Sequence, residues 1–382
     1  MKIPLAWLQL TREKMRLLVA LAGIGFADIL MFMQLGFRDA LFDSSVRIHE
    51  NLDGDIFLVS PQSTTLTAMK SFPQRRLYQT LAFEGVESVK PVYLDLSLWK
   101  NPVDRSTRSI FVLAFNPDDT VFNLPGVVNN INQIKLPDRV LFDAASREEF
   151  GPVAEKFTQG EPVITEVGGR RVEVKGLFEM GASFGANGNI FTSDLNFLRI
   201  FPRRQKGIID IGIVKLKPTA DVEAVLKGMK TYLPDDVIYF SKQEFIDWEK
   251  NYWATSTTIG FIFTLGTAMG FIVGIVIVYQ ILYTDVSDHL AEYATLKAMG
   301  YKDLYFLIVV FQEALILAIL GYFPACAVAI GLYNLTRNAT SLPLIMTLAR
   351  ATTVLILTVV MCSVSGVIAV RKLSAADPAD IF

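Results

Sequence analysis

The sequence predicts an α-helical membrane protein with four transmembrane helices plus a mixed α/β domain inserted between helices 1 and 2. Hydrophobic residues make up 52% of its 382 residues and charged residues only 19%, below the share of about 25% found in ordinary soluble domains. Four apolar runs reach the length of about 20 residues that a helix needs to cross a bilayer. Between the first two runs, residues 38–256 have the mixed pattern of a folded domain.

The four apolar runs divide the chain into spans and connecting segments. The first run contains Asp28 and lacks an obvious small-residue cleavage site, so we interpret it as a span rather than a signal peptide. The predicted segments are an amphipathic helix (1–16), span 1 (17–37), the α/β domain with helical stalk ends (38–256), span 2 (257–283), a short helix (284–304), span 3 (305–332), a loop (333–350), span 4 (351–370) and a tail (371–382).

Lysine and arginine are distributed unevenly among the segments that flank the spans. Only Arg337 and Arg350 lie between spans 3 and 4. The segments before span 1, between spans 2 and 3 and after span 4 carry Lys2, Arg12, Lys14, Arg16, Lys297, Lys302, Arg371 and Lys372. Because positive residues mark the cytoplasmic side, we expect both termini and residues 284–304 in the cytoplasm, and residues 38–256 outside it.

The inserted segment combines strand-like and helix-like patterns. Residues 221–233 have helical spacing of their apolar residues. Runs rich in Val, Ile and Phe predict strands at 55–60, 108–115, 170–178 and 209–216. Its two ends, 37–52 and 241–256, lack Pro and Gly, so we expect helices that continue without a break into spans 1 and 2. Such helices would transmit movement, whereas a flexible linker would not.

The composition argues against several classes of function. The net charge of −2 gives no indication of a nucleic-acid partner. Both cysteines, Cys326 and Cys362, fall in apolar runs, so the inserted domain has no disulfide framework or cysteine zinc site. Its single histidine, His49, lies in a stalk end, and the usual acid–base residues are scarce. We therefore predict a non-catalytic chain without a metal or other bound cofactor.

Polar and glycine residues within the spans predict helix packing. Asp28, Gln312 and Glu313 lie within spans 1 and 3, where ionisable residues are costly and normally face other helices. A proton relay is the alternative to a buried packing role. Span 2 contains Gly266, Gly270 and Gly274 at GxxxG spacing, which allows close helix approach within the chain or in a dimer. We interpret these glycines as packing residues with a share in dimerisation.

Three stretches resemble the permease subunits of MacB/FtsX-type ABC transporters. They are PLAWLQLTREKMRLLVALAGIGFADILMF near the start, EYATLKAMGYKDLY after span 2 and RKLSAADPADIF at the end. The order of one span, a large domain and three further spans also resembles that family. Within it, FADILMFMQLGF is most similar to the DevC group of cyanobacterial exporters, whereas the inserted domain resembles the family mainly in its position.

The resemblance implies that residues 284–304 form a coupling helix that docks on a separate ABC ATPase subunit. The chain contains no Gly-Lys dipeptide and so no P-loop, which places ATP and Mg on the partner. The resemblance also implies a homodimer in the bacterial inner membrane, a periplasmic membrane-fusion adaptor and an outer-membrane TolC-like channel. The expected coupling residues are Asp288, Ala291, Glu292, Tyr293, Ala294, Leu296, Lys297, Ala298, Met299 and Gly300.

The implied function is a permease subunit that transmits ATP-driven motion to its periplasmic domain and so exports a lipid-like or other amphiphilic cargo. The sequence leaves three alternatives open. A lipoprotein-releasing permease and an FtsX-like activator of cell-wall hydrolases share the same mechanics. An intramembrane enzyme that uses Asp28 and Glu313 would need no ATPase.

Overall fold

The computed structural model describes residues 7, 12, 14–183, 185–289, 292, 295, 296, 299–301, 303–340 and 342–374. The chain forms two compact units. We call Met1–Ala40 with Thr258–Phe382 the membrane unit, and Leu41–Thr257 the inserted domain. The architecture is that of an α-helical membrane protein with four transmembrane helices and a mixed α/β domain between the first and the second.

The helices are described first, in chain order. They are α1 (Lys14–Ser45), α2 (Arg47–Asn51), α3 (Arg75–Gln79), α4 (Pro125–Asn130), α5 (Val153–Thr158), α6 (Asp194–Ile200), α7 (Val222–Tyr232), α8 (Lys242–Asn251), α9 (Thr258–Asp288), α10 (Asp303–Thr340) and α11 (Leu348–Ser374). A π-helix, Tyr252–Ser256, follows α8. Helices α1, α9, α10 and α11 are each long and apolar enough to cross a membrane.

The four long helices extend beyond the predicted spans. Helix α1 continues to Ser45 and α10 to Thr340, so part of the loop expected at 333–350 is helical. Polar residues in NLTRNAT lower hydropathy without breaking the helix, because none of them is Pro or Gly. Small and aliphatic side chains of all four helices, such as Ala27, Leu282, Ala314 and Met361, form the packed interior of the unit.

The inserted domain is built on a mixed sheet of nine strands in the order β11-β1-β10-β3-β4-β8-β5-β7-β6. The β4–β8 and β5–β7 pairs are parallel and the remaining pairs are antiparallel. The strands are β1 (Ile56–Val59), β2 (Phe72–Pro73), β3 (Val86–Lys100), β4 (Thr107–Phe115), β5 (Arg139–Asp143), β6 (Val163–Val167), β7 (Arg170–Phe178), β8 (Asn189–Ser193), β9 (Ile208–Ile209), β10 (Ile211–Leu216) and β11 (Ile238–Ser241), with β2 and β9 forming a separate ribbon.

Both faces of the sheet are buried, because alternate residues of a strand point to opposite faces. Ile56 and Leu58 of β1 join one apolar cluster, which also contains Met229 of α7. Phe57 and Val59 join the other cluster. The second cluster includes Ile48 of α2, Val127 of α4 and Phe245 of α8. The sheet is thus covered by helices on each side.

The prediction of an unbroken helix from the inserted domain into span 2 is wrong at one residue. Thr257 is extended, with φ −118° and ψ 153°, and separates the π-helix from α9. Its hydroxyl donates to the carbonyl of Trp253 at 2.7 Å, which satisfies one of the last acceptors of the turn. Neither Pro nor Gly marks this break, so it could not be predicted from the sequence. On the other side, α1 runs unbroken to Ser45.

Candidate functional site

The predicted coupling segment begins where α9 ends. Of its residues the structure describes Asp288, Glu292, Leu296, Met299 and Gly300, whereas Ala291, Tyr293, Ala294, Lys297 and Ala298 lie outside the described residues. Glu292 is exposed and Met299 is 64% exposed. Leu296 is partly buried against the interior of the membrane unit, so it contributes packing to its own chain.

Gly300 ends this segment. Its φ of +98° lies in the left-handed region that glycine adopts without strain. The N–H of Tyr301 donates to the carbonyl of Leu296 at 3.2 Å, the six-to-one bond of a Schellman C-cap. The segment therefore turns sharply at Gly300, just before α10 begins.

An ion-pair cluster holds the end of α9 against the beginning of α1. Arg16 donates to the carboxylate of Asp288 and lies 3.6 Å from that of Asp285. The Nδ1 atom of His289 lies 2.9 Å from the carbonyl oxygen of Asp285. Asp288, predicted as a coupling residue, is thus tied to span 1. A displacement of the segment after α9 would act on both helices.

The glycine row of span 2 packs within the chain. A Cβ added at Gly266 would lie 2.5 Å from Cδ of Gln34, and one at Gly270 would lie 3.4 Å from Cγ of Met31. A Cβ at Gly274 would lie 2.0 Å from Sδ of Met361. The row therefore faces α1 and α11 of its own protomer. These contacts agree with close helix packing within the chain. They give no support to the predicted share of the glycines in dimerisation.

The polar residues of the spans divide into two kinds. Asp28 is fully buried and accepts a hydrogen bond from the Thr358 hydroxyl of α11 at 2.7 Å. Glu313 is also fully buried, and its carboxylate has no hydrogen-bond partner among the described residues. Gln312, its neighbour in α10, is exposed on the single protomer, because adjacent residues point about 100° apart around a helix.

A second polar cluster joins α1, α10 and α11. In the sequence its arginine, Arg350, bears only on the topology. Arg350 donates to Asp39 through Nε at 3.2 Å and Nη2 at 2.9 Å, and to the carbonyl of Ile345 at 2.7 Å. Its guanidinium stacks on the Tyr333 ring, 5.5 Å from the centroid. Tyr333 in turn donates to the carbonyl of Phe32. This network of polar contacts therefore holds α1, α10 and α11 together.

His49 and Glu249 form a buried pair in the inserted domain. Glu249 accepts from the Thr65 hydroxyl at 2.5 Å, the Leu66 N–H at 2.9 Å and Nε1 of Trp253 at 2.8 Å. Nε2 of His49 lies 3.8 Å from Glu249 Oε2, and neither ring nitrogen has a hydrogen-bond partner in the described chain. A buried unpaired donor costs about 1–3 kcal/mol. The sequence predicts His49 in a helical stalk end, but it does not predict Glu249 as its buried neighbour.

Burial shifts the pKa values of His49 and Glu249 in the directions that disfavour their charged forms. Desolvation lowers the pKa of His49 to about 3, and it raises the pKa of the Glu249 carboxyl against its three hydrogen bonds. The imidazole is therefore neutral at physiological pH. Among the residues that the structure describes, no group of three or more His, Cys, Asp or Glu side chains could hold a metal ion.

The His49→Phe variant should resist acid better than the unchanged protein. The folded state holds His49 below its unfolded pKa of about 6.5. The unfolded state therefore binds more protons, and stability is lost as pH falls from about 6.5 towards 3. Between pH 7 and pH 4 this amounts to about 3 kcal/mol. The measurement is urea unfolding of the inserted domain in the full chain, followed by fluorescence at both pH values. Equal losses in the two proteins would contradict the assignment.

The FtsX-like permease C-terminal family model matches residues 252–378, which include all of α9, α10 and α11. No curated protein matches the chain significantly.

Two solved structures are similar to the inserted part of the chain. The periplasmic region of MacB from Actinobacillus actinomycetemcomitans is 10% identical with a TM-score of 0.34, over 52% of this chain and 92% of that one. The extracellular domain of the ABC-type transporter YknZ from Gram-positive bacteria is 16% identical with a TM-score of 0.33, over 49% and 98%. The part of the chain that matches a family contains the last three spans, within residues 252–378, and the family is the C-terminal domain of FtsX-like permeases.

Proposed function

We propose that this protein is the membrane subunit of an ABC exporter of the MacB/FtsX type, with ATP hydrolysis on a separate ATPase chain. The match of residues 252–378 to the FtsX-like permease C-terminal family carries this proposal. The order of the chain supports it, because one span, an inserted α/β domain and three spans follow one another. Both termini and residues 284–304 face the cytoplasm of a bacterial inner membrane in this proposal, and the inserted domain faces the periplasm.

ATP binding on the partner would displace residues 284–304. The contacts at the end of α9 support a transfer of this displacement to α1. Arg16 joins the end of α9 to the beginning of α1, so both helices that flank the inserted domain receive the displacement. In this mechanism the cargo does not need to pass between the spans. The inserted domain changes shape and moves an amphiphile towards an adaptor and an outer-membrane channel.

Purification from the native membrane in mild detergent, with partners identified by mass spectrometry, tests the proposal. An ABC ATPase together with a membrane-fusion adaptor is the expected result. An ATPase with a lipoprotein acceptor or a cell-wall hydrolase would retain the coupling mechanism and replace the exporter. The absence of any ATPase would overturn the proposal.

Two substitutions on the coupling segment should weaken ATPase binding without affecting the fold. Glu292→Lys reverses an exposed charge, and Met299→Asp places a charge where an exposed apolar side chain can fill a groove on a partner. We expect each to weaken copurification of the ATPase at least tenfold, as loss of a central interface residue does. Leu296→Asp should also weaken it, but through a change in its own packing.

The matched control is Leu335→Asp, which introduces the same charge at an exposed leucine near the opposite end of α10. It should leave copurification unchanged. If Glu292→Lys and Met299→Asp retain the ATPase as well as this control does, residues 284–304 are not the coupling segment.

A further inference from the structure

Glu249 and His49 are buried neighbours that make no hydrogen bond to each other. Oε2 of Glu249 is 3.8 Å from Nε2 of His49, beyond hydrogen-bond distance. Both side chains are almost fully buried, at 2% and 0% exposure. The imidazole packs against Phe245 at 4.3 Å between ring centroids. A displacement of about 1 Å would bring the pair into contact. The described state leaves that bond unmade.

The third donor to Glu249 comes from an irregular turn. Trp253 belongs to the π-helix Tyr252–Ser256, which follows α8 directly. Hydrogen bonds in a π turn run from residue i to i+5, and such turns are frequent at functional sites. If the turn rewinds as an α-helix, the angular position of Trp253 around the axis changes relative to Glu249. The extended residue Thr257 can absorb the change in length before α9 begins.

We propose that the π turn and the His49–Glu249 pair form a two-state switch in the inserted domain. In the described state Trp253 donates to Glu249 and the imidazole is unpaired. In the second state the turn is α-helical, Trp253 has left the carboxylate, and Nε2–H of His49 donates to Glu249. The buried carboxylate keeps three donors in each state, since Thr65 and Leu66 remain. The exchange involves no change of protonation.

Few other groups can influence the pair. Besides Trp253, Thr65 and Leu66 donate to Glu249, and Phe245 covers the imidazole. Within α2, Arg47 is directed to the carbonyls of Met180 and Ala182 instead. A cleft of about 10 Å³ lies beside Glu249, close to the volume that one water molecule requires. The cleft is also lined by Trp253 but not by His49, so it lies on the Trp253 side of the carboxylate.

The switch is a property of the inserted domain itself and does not depend on the proposed transport function. If that function holds, the turn lies at the point where the chain enters span 2, so movement of α9 would bias it. A failure to find an ATPase partner would leave the switch untouched. A failure of the experiment below would leave the ATPase coupling untouched.

The test is ¹⁹F NMR of the full chain, labelled with 5-fluorotryptophan and reconstituted in lipid nanodiscs. The chain has four tryptophans, so single Trp→Phe variants assign the Trp253 signal. We expect two signals in exchange. Thr65→Val removes a donor that Glu249 keeps in both states, so it should leave the ratio of the two signals nearly unchanged. Thr231→Val, at an exposed hydroxyl of α7, is the control and should likewise leave the ratio unchanged.

The His49→Phe variant decides whether the imidazole stabilises the second state. It keeps an aromatic ring beside Phe245 but cannot donate to Glu249. The minor signal should disappear in His49→Phe and also in the double variant with Thr65→Val. A single Trp253 signal in both the unchanged protein and Thr65→Val would overturn the proposal. A minor signal that persists in the double variant would overturn it as well.

Discussion

Replacing Asp143 by alanine should lower the free energy of unfolding of the inserted domain by about 3–5 kcal/mol, because a buried acceptor with several donors would be lost. Asp143 is fully buried at the end of β5. It accepts from the N–H groups of Met180 at 3.0 Å, Gly181 at 2.9 Å and Ala145 at 3.1 Å, and from Nδ2 of Asn189 at 2.9 Å. Burial raises the pKa of this carboxyl in spite of these bonds.

The experiment compares urea unfolding of the full chain in the Asp143→Ala and Asp143→Asn variants. Asparagine keeps the shape and one acceptor oxygen, so it should cost less than alanine. Glu148→Ala is the control at an exposed neighbouring carboxylate and should stay within about 0.5 kcal/mol of the unchanged protein. A loss for Asp143→Ala as small as that of the control would show that other contacts hold Met180 and Gly181 in place.

The long helices and several strands of this fold can be predicted from the sequence. Apolar runs of membrane length predict helices directly, and the four long helices follow from them. Strands such as β4 and β7 agree with runs of Val, Ile and Phe. Strand β3 was missed, because Pro91 within it is unfavourable to a strand. The structure accommodates that proline opposite Gly212 of β10.

The side-chain partners of the sites could not be predicted, because they depend on long-range packing. Asp143 binds a loop 37 residues away, and Thr65 reaches Glu249 across 184 residues. Arg350 and Asp39 meet across 311 residues. The GxxxG spacing in span 2 predicts close helix approach, but spacing alone cannot distinguish a neighbour in the same chain from a second copy.

That distinction leads to a second large effect. The Gly274→Leu variant should destabilise the membrane unit by about 3 kcal/mol, the upper part of the range for overpacking a core. The first added carbon alone would lie 2.0 Å from Sδ of Met361 and 3.0 Å from Cβ of Ala27. Met361 and Ala27 are fully buried, so neither can move aside freely. Helices α1 and α11 would have to separate from α9.

Gly331→Leu is the matched control, because a Cβ at this helical glycine of α10 would meet nothing within 4 Å. Both substitutions gain about the same helix propensity, so the difference between them reports packing. The melting temperature of each variant in detergent, at a dilution that yields monomers, gives that difference. A drop confined to Gly274→Leu assigns the glycine row to packing within one protomer. Equal melting temperatures in the monomer, with loss of a dimer only in Gly274→Leu, would instead assign the row to contact with a second copy.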